Sequence, residues 1–286
     1  MSIKVFTDST SYIDAEVIKD LEMKVLPLSV KFEDASFKET EIDNDTFYKM
    51  MEKKGIPQSS QPALGEMCDE MQKVVEQGDE LVCVLLSSEM SGTYSTAHMA
   101  KNMTLEKYPE AKIELIDSRS NCMQLGFAAI VAARIAKVGG SLKEVVDGTM
   151  ENIKKSRFLF IPDNLEYLKK GGRIGKANAI IGNLLKIIPI LTVEEGVTTV
   201  FKKVRTKKKA IVTMIEEMMG DIERYGLGEI VVHHINCLEE AKGVVNMIKD
   251  KLEVDVKIQD IGPVIGLHVG PGAIGIAYYT KDRMRD

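Results

Sequence analysis

The segment Ser87-Ser88-Glu89-Met90-Ser91-Gly92-Thr93-Tyr94 follows the most apolar run of the chain, Leu81-Val82-Cys83-Val84-Leu85-Leu86, and opens a helical stretch. In a parallel sheet, ligands settle beyond the carboxyl ends of the strands. A helix that starts there offers unpaired backbone N–H groups and a partial positive charge, a setting that suits an anion. Gly92 lets a ligand come close to the backbone, and the hydroxyls of Ser91 and Thr93 can donate to an oxyanion. The same spacing also fits plain N-capping by Ser91, and both readings stay open at this level.

Three other polar segments could meet the same ligand. Pro57-Gln58-Ser59-Ser60-Gln61-Pro62 sets hydrogen-bonding side chains between two prolines, as a restricted loop or as a turn leading into the helix at Leu64. Thr7-Asp8-Ser9-Thr10 ends a strand; one carboxylate makes no metal site, and Asp8 is expected to organise the loop through hydrogen bonds to backbone. Gly262 to Gly272 is dense in glycine and proline around His268, which reads as a loop shaped to bring that histidine to a phosphate or carboxylate. His233 and His234 fall in a strand and point to opposite faces, so they do not read as a ligand pair. Leu165 to Ile174 adds cations beside Gly171-Gly172 but lacks the order of a nucleotide-binding P-loop. Neither a nucleophile elbow nor a zinc-protease motif is present in the sequence.

The elements that must position these residues follow from periodicity. In the first half, strands are expected at Ile3–Thr7, Lys24–Phe32, Glu80–Leu86 and Lys112–Ile116. Helices are expected at Asp14–Leu21, Asp43–Lys53, Leu64–Gln77, Thr93–Met103, Met123–Val138 and from Ser141 to about Ser156. That alternation predicts a parallel sheet covered on both faces. The second half carries strands at Phe158–Pro162, Glu229–His234, Val254–Ile261 and Ala273–Thr280, with a hairpin over Ile188–Phe201 turning at Glu195-Gly196. Helices are expected there at Leu165–Lys170, Lys208–Tyr225 and Leu238–Leu252, and the hairpin makes the sheet mixed. The fold class is therefore α/β with two α/β domains, 1–160 and 161–286, and ligands favour the cleft between such units.

Bulk properties narrow the function. A net charge of −5 argues against a general nucleic-acid binder, and the cluster Lys202-Lys203, Arg205, Lys207-Lys208-Lys209 reads first as a solvated helix start. The 4 cysteines have no zinc or disulfide spacing, and no apolar stretch approaches the ~20 residues that span a bilayer. With no signal-peptide pattern ahead of Ile3, a cytoplasmic protein without stable membrane insertion is the expectation. The 16 methionines, with no tryptophan, suit either an adaptable apolar cavity or an ordinary core.

Taken in order, several pieces closely resemble the DegV family over essentially the whole chain. They are Thr7-Asp8-Ser9-Thr10, Ser59-Ser60-Gln61-Pro62, Ser87-Ser88 with Ser91-Gly92-Thr93-Tyr94, Asp117-Ser118, Leu165 to Ile174, Pro189-Ile190-Leu191, Arg205 and His268-Val269-Gly270-Pro271-Gly272. The resemblance implies two α/β domains enclosing a long-chain fatty acid in the interdomain region, with no cofactor and no metal. It also implies a partner, an ATP-dependent fatty acid kinase subunit that converts the bound acid to an acyl phosphate. Carried over by residue, Ser59 and Ser91 bind the carboxylate, Ser60, Gly92 and Thr93 form the supporting loop, and Arg205 and His268 support phosphoryl transfer. On that reading the chain is a carrier, not an enzyme on its own. Ser59 stands where many members have threonine, Ile188 where lysine is common, and Leu267 where threonine is common. Two other readings compete: a stand-alone serine-dependent acyl hydrolase using Ser91 with His268 as base, and a binder of another anionic lipid or metabolite.

Overall fold

The computed structural model describes residues 2–183 and 187–285. The first half runs β1 (Ile3–Asp8), α1 (Ala15–Asp20), β2 (Lys24–Leu26), β3 (Ser29–Lys31), β4 (Ser36–Lys38), α2 (Asn44–Lys54) and β5 (Gln58–Ser60). It continues with α3 (Leu64–Glu76), β6 (Glu80–Leu85), α4 (Thr93–Lys107), β7 (Ile113–Asp117), α5 (Cys122–Lys137) and α6 (Leu142–Lys155). The second half comprises β8 (Ser156–Ile161), α7 (Glu166–Lys170), β9 (Ile188–Glu194), β10 (Val197–Val204), α8 (Lys207–Tyr225) and β11 (Leu227–His234). After it come α9 (Leu238–Lys249), β12 (Lys257–Asp260), α10 (Pro263–Val269) and β13 (Ile274–Thr280).

Strands β2-β1-β6-β7 form a parallel four-stranded sheet, with Val5 opposite Val82 and Val84 opposite Ile116. Side chains alternate across β6, so Val82 and Val84 join the core beneath α5 while Leu81, Cys83 and Leu85 pack with α3 and α4. Both faces are apolar because both are covered by helices. The second sheet, β10-β9-β8-β13-β11-β12, is mixed, with β11 and β12 as its parallel pair. On β8, Leu159 and Ile161 face the α8–α9 layer, and Phe158 and Phe160 face inward.

Helix α5 joins the halves. Leu125, Phe127, Ala128, Ala129, Ile130 and Ala132 are all buried, so the helix is apolar around its circumference and has to be covered on every side. It touches β1 and β6 of the first sheet and β8 and β13 of the second. One apolar cluster consequently runs from Val82 through α5 to Phe158 and Val264.

Three expectations change. Lys24–Phe32 is two strands, broken at Pro27, which has no N–H to give a ladder; β2 stays in the parallel sheet while β3 pairs with β4 and β5 in a small antiparallel sheet. The glycine-proline segment after Ile261 is mostly helix, α10, with Pro263 in its first turn, where a missing N–H costs nothing. Finally, β8 pairs with β9 and β13, so a division between residues 160 and 161 would fall inside a strand; the chain passes from one sheet to the other between α6 and β8.

Candidate functional site

Where β6 ends, its last turn is tied to the first strand. Leu86 N donates to Asp8 Oδ2 at 2.7 Å, and Thr10 N donates to Asp8 Oδ1 at 3.0 Å, so Asp8 organises this loop through backbone hydrogen bonds. Burial raises the Asp8 carboxyl to about 6, against hydrogen bonds that lower it. From there Ser91 N donates back to Ser87 O at 3.1 Å, turning the chain into α4. Ser91 Oγ accepts from Thr93 N at 3.3 Å and lies 2.9 Å from Thr93 Oγ1. Gly92 stands at the N-cap, and a Cβ there would sit 3.2 Å from Gln61 Oε1. The Ser59–Gln61 segment therefore packs directly on the Ser91–Thr93 turn.

Ser59 is held by register. On β5 it lies opposite the fully buried Val30, and its Oγ shares a hydrogen bond of 3.0 Å with His268 Nε2. His268 comes from α10 and is 9% exposed. Its ring presses on Gly171, where a Cβ would fall 2.2 Å from Nδ1, and that nitrogen has no hydrogen-bond partner among the described residues. Desolvation, followed by the charge of Arg173, lowers His268 to about 4, so the ring is neutral at neutral pH.

Helix α10 is anchored from the first half of the chain. Val264 N donates to Glu39 Oε2 at 3.1 Å, Ile265 N to Tyr12 Oη at 3.2 Å, and Tyr48 Oη donates to Ile261 O at 2.9 Å. Tyr12 Oη and Ser9 Oγ also donate to Glu39. Burial drives the Glu39 carboxyl up to about 7; hydrogen bonds from Ser9, Val264 and Tyr12 oppose the shift, and the neighbouring charge of Asp8 adds to it.

Ser59, the Ser91 turn and His268 meet at a cavity whose empty volume, with open solvent at its mouth included, is about 840 Å³. Ser59, Ser60, Gln61, Ser91, Gly92, Arg173 and His268 line its polar end, where Ser60, Gly92 and Arg173 are exposed. Apolar walls come from Leu86, Met90, Ile265, Val269 and the stacked pair Phe158 and Phe160, whose rings are 5.1 Å apart. Thr93 is buried behind Ser91 and does not line the space. The β9–β10 turn is also fastened to the first half: Ser87 Oγ donates to Gly196 O at 2.7 Å, and Arg119 donates to Glu195 O.

The structure thus brings Ser59, Ser60, Ser91, Gly92 and His268 together. Arg205 is exposed on the bend between β10 and α8 and is not a lining residue. Among the described residues, the cation that does line the cavity is Arg173, whose Nε donates to Met90 O at 2.9 Å and Nη1 to Gly171 O at 2.8 Å. In the sequence Arg173 is one of several charges beside Gly171-Gly172, and that glycine pair is the available signal. Glu39 and Asn121, also part of this region, carried no local signal at all. Among the described residues, no group of three or more histidine, cysteine, aspartate or glutamate side chains could hold a metal ion.

Two α/β units border an apolar-walled cavity with one hydroxyl-, imidazole- and guanidinium-lined end, a concave site of the kind in which proteins hold small-molecule ligands. A model of the DegV family matches residues 2–281, and the chain belongs to that family. A DegV domain-containing protein of Clostridium acetobutylicum is 61% identical over 285 residues, covering 100% of both chains. The crystal structure of DegV from Bacillus subtilis, a fatty acid binding protein, superposes with a TM-score of 0.88 at 35% identity, covering 98% of this chain and 100% of that one. A stearic acid-binding protein from Eubacterium ventriosum matches with a TM-score of 0.88 at 26% identity, over 98% of each chain. Among the described residues, no helix is long and apolar enough to cross a membrane.

Proposed function

We propose that the protein is a cytoplasmic carrier that binds a long-chain fatty acid in this cavity and presents its carboxylate to a separate ATP-dependent kinase subunit. The observation that carries the reading is the pairing of an apolar-walled cavity with a polar mouth built from Ser59, Ser91, His268 and Arg173, in a chain similar to solved fatty acid-binding proteins from Bacillus subtilis and Eubacterium ventriosum. Burying the roughly 14 methylenes of a C16 chain at about 0.8 kcal/mol each contributes on the order of 11 kcal/mol before ordering costs. The carboxylate needs partners of its own, because a buried unpaired charge is expensive. The Ser59 and Ser91 hydroxyls supply hydrogen bonds and Arg173 supplies charge, at the exposed end where a second protein can reach the head group. Phosphoryl transfer then joins a carboxylate oxygen to the γ-phosphorus of ATP and releases ADP. In this reading Arg205, exposed and outside the cavity, supplies positive charge to the incoming phosphates.

The hydrolase alternative is less well supported. His268 pairs with Ser59, not Ser91, no acid among the described residues orients its Nδ1, and its lowered pKa makes it a weak base. Native mass spectrometry of the purified protein, followed by lipid extraction, tests the binding step: a stoichiometric fatty acid is expected. Protein that arrives empty and takes up no added palmitate would sink the proposal. For the kinase step, Arg205→Ala is expected to lower acyl phosphate formation with the kinase subunit and ATP while palmitate still binds.

A further inference from the structure

The two partners of the Ser59–His268 hydrogen bond arrive on different elements, and one buried carboxyl is tied to both. Glu39 follows β4, is 5% exposed and is not a lining residue of the cavity. Toward Ser59 the connection runs through Ser9 and Leu28. Ser9 Oγ donates to Glu39 and accepts from Leu28 N at 2.9 Å, while Glu39 N donates to Leu28 O, also at 2.9 Å. Strand β3 begins at the next residue, and its register sets Ser29 opposite Ser60 and Val30 opposite Ser59.

Toward His268 the connection runs through the start of α10. Gly262 at the N-cap has no side chain to accept from Val264 N, and Glu39 Oε2 supplies that acceptor at 3.1 Å from far along the chain. Tyr12 Oη donates to the same oxygen and accepts from Ile265 N. A Cβ on Gly262 would sit 2.7 Å from Tyr12 Cε1 and 3.2 Å from Glu39 Oε2, so the helix start is seated directly on both side chains. Neither arm is stiff by itself, because β3 and β5 have 3 residues each and α10 has 7, and elements this short take their stability from tertiary contacts. Resting on the fatty-acid reading above, we infer that Glu39 is a positioning residue of the carboxylate site: it fixes Ser59 and His268 relative to each other, and through them the affinity for fatty acid.

The test is a double-mutant cycle read by titration calorimetry of delipidated protein with palmitate. Glu39→Ala should weaken binding roughly tenfold or more, the value of one hydrogen bond to a charged group. In a Ser59→Ala background the same change should cost much less, since the pair it positions is already gone. Glu39→Gln should bind palmitate as the unaltered protein does, because its amide oxygen still accepts from Val264 N and its amide nitrogen can donate to Ser9 Oγ. Losses that simply add in the double variant would overturn the inference, since a general loosening of the fold adds in that way. Normal affinity in Glu39→Ala would overturn it as well, and both results leave the fatty-acid reading standing. Failure of the unaltered protein to bind palmitate would remove that reading and this inference together. Should Glu39→Ala not fold, Glu39→Asp, one methylene shorter, takes its place in the cycle.

Discussion

The two sheets of this protein differ in what covers their inner faces. In the parallel sheet, α3 and α4 close one face and α5 and α6 the other, so residues such as Leu81, Cys83 and Leu85 have no exposure at all. In the mixed sheet, α8 and α9 close the outer face, but α5 covers only part of the inner one. Phe158, Phe160 and Gly275 are left lining the cavity, roofed by α10. Parallel strands joined by helical crossovers are buried on both sides as a consequence of their connections. A sheet built partly from hairpins has no such obligation, and here the uncovered area becomes the binding space. One sheet supplies rigidity and the ends of its strands; the other supplies room.

That contrast can be broken experimentally, beginning with the largest effect. Leu85→Ala removes a fully buried side chain from the closed sheet and should cost about 2–5 kcal/mol in urea unfolding. Saturating fatty acid should stabilise this variant and the unaltered protein by the same increment, because Leu85 is not a lining residue. A larger increment in the variant would show that the two regions are coupled. At the polar end, replacing Ser59 or Ser91 by alanine should weaken palmitate binding by about 1.5–3 kcal/mol each, the value of a hydrogen bond to a charged group, with little change in unfolding. Unaltered affinity in calorimetry would place the carboxylate elsewhere. Gly171→Ala should cost about 1–3 kcal/mol by overpacking, since its Cβ would meet His268 Nδ1 at 2.2 Å. Lost palmitate affinity should accompany that cost, and normal binding would show that the His268 position is dispensable.

The smallest effect concerns pH and the anchor of α10. Glu39 titrates near 7 when folded and near 4.5 when unfolded, so between those values the folded protein holds a proton that the unfolded chain has released. The stabilisation from this group is complete below about pH 4.5 and is lost as pH rises through about 7. His268, lowered to about 4 from 6.5, has the opposite sign: its stabilisation is complete above about pH 6.5 and is lost as pH falls toward 4. Glu39→Gln should therefore flatten the decline in stability from pH 4.5 to 7, as read by thermal unfolding at a series of pH values. An identical slope in the variant would exclude Glu39 as its source.

Much of the scaffold was legible beforehand because its signals are local. The apolar run at Leu81–Leu86, the Ala- and Ile-rich stretch after Cys122, the Glu195-Gly196 turn and the helix start at Ser141 each act within a few residues. They specified the alternating order and the mixed second sheet. Local propensity misled where a breaker served another purpose: Pro27 moves the chain between sheets, and Pro263 starts a helix.

The site divides in the same way. Ser59, Ser91 and His268 were marked by their motifs, but their meeting depends on contacts that no local pattern encodes. Ser59 and His268 are 209 positions apart, and Glu39 holds Val264 across 225. Whether Arg173 or Arg205 borders the ligand is likewise set by where α7 and the β10–α8 bend fall around the cavity. The sequence by itself determined the elements, their order and the chemistry available at the strand ends, because those rest on short-range periodicity and side-chain type. Only the tertiary structure decided which of those groups converge and that an apolar space is left between them. Convergence and empty volume arise from long-range packing, and a residue's own neighbourhood in the chain does not contain that information.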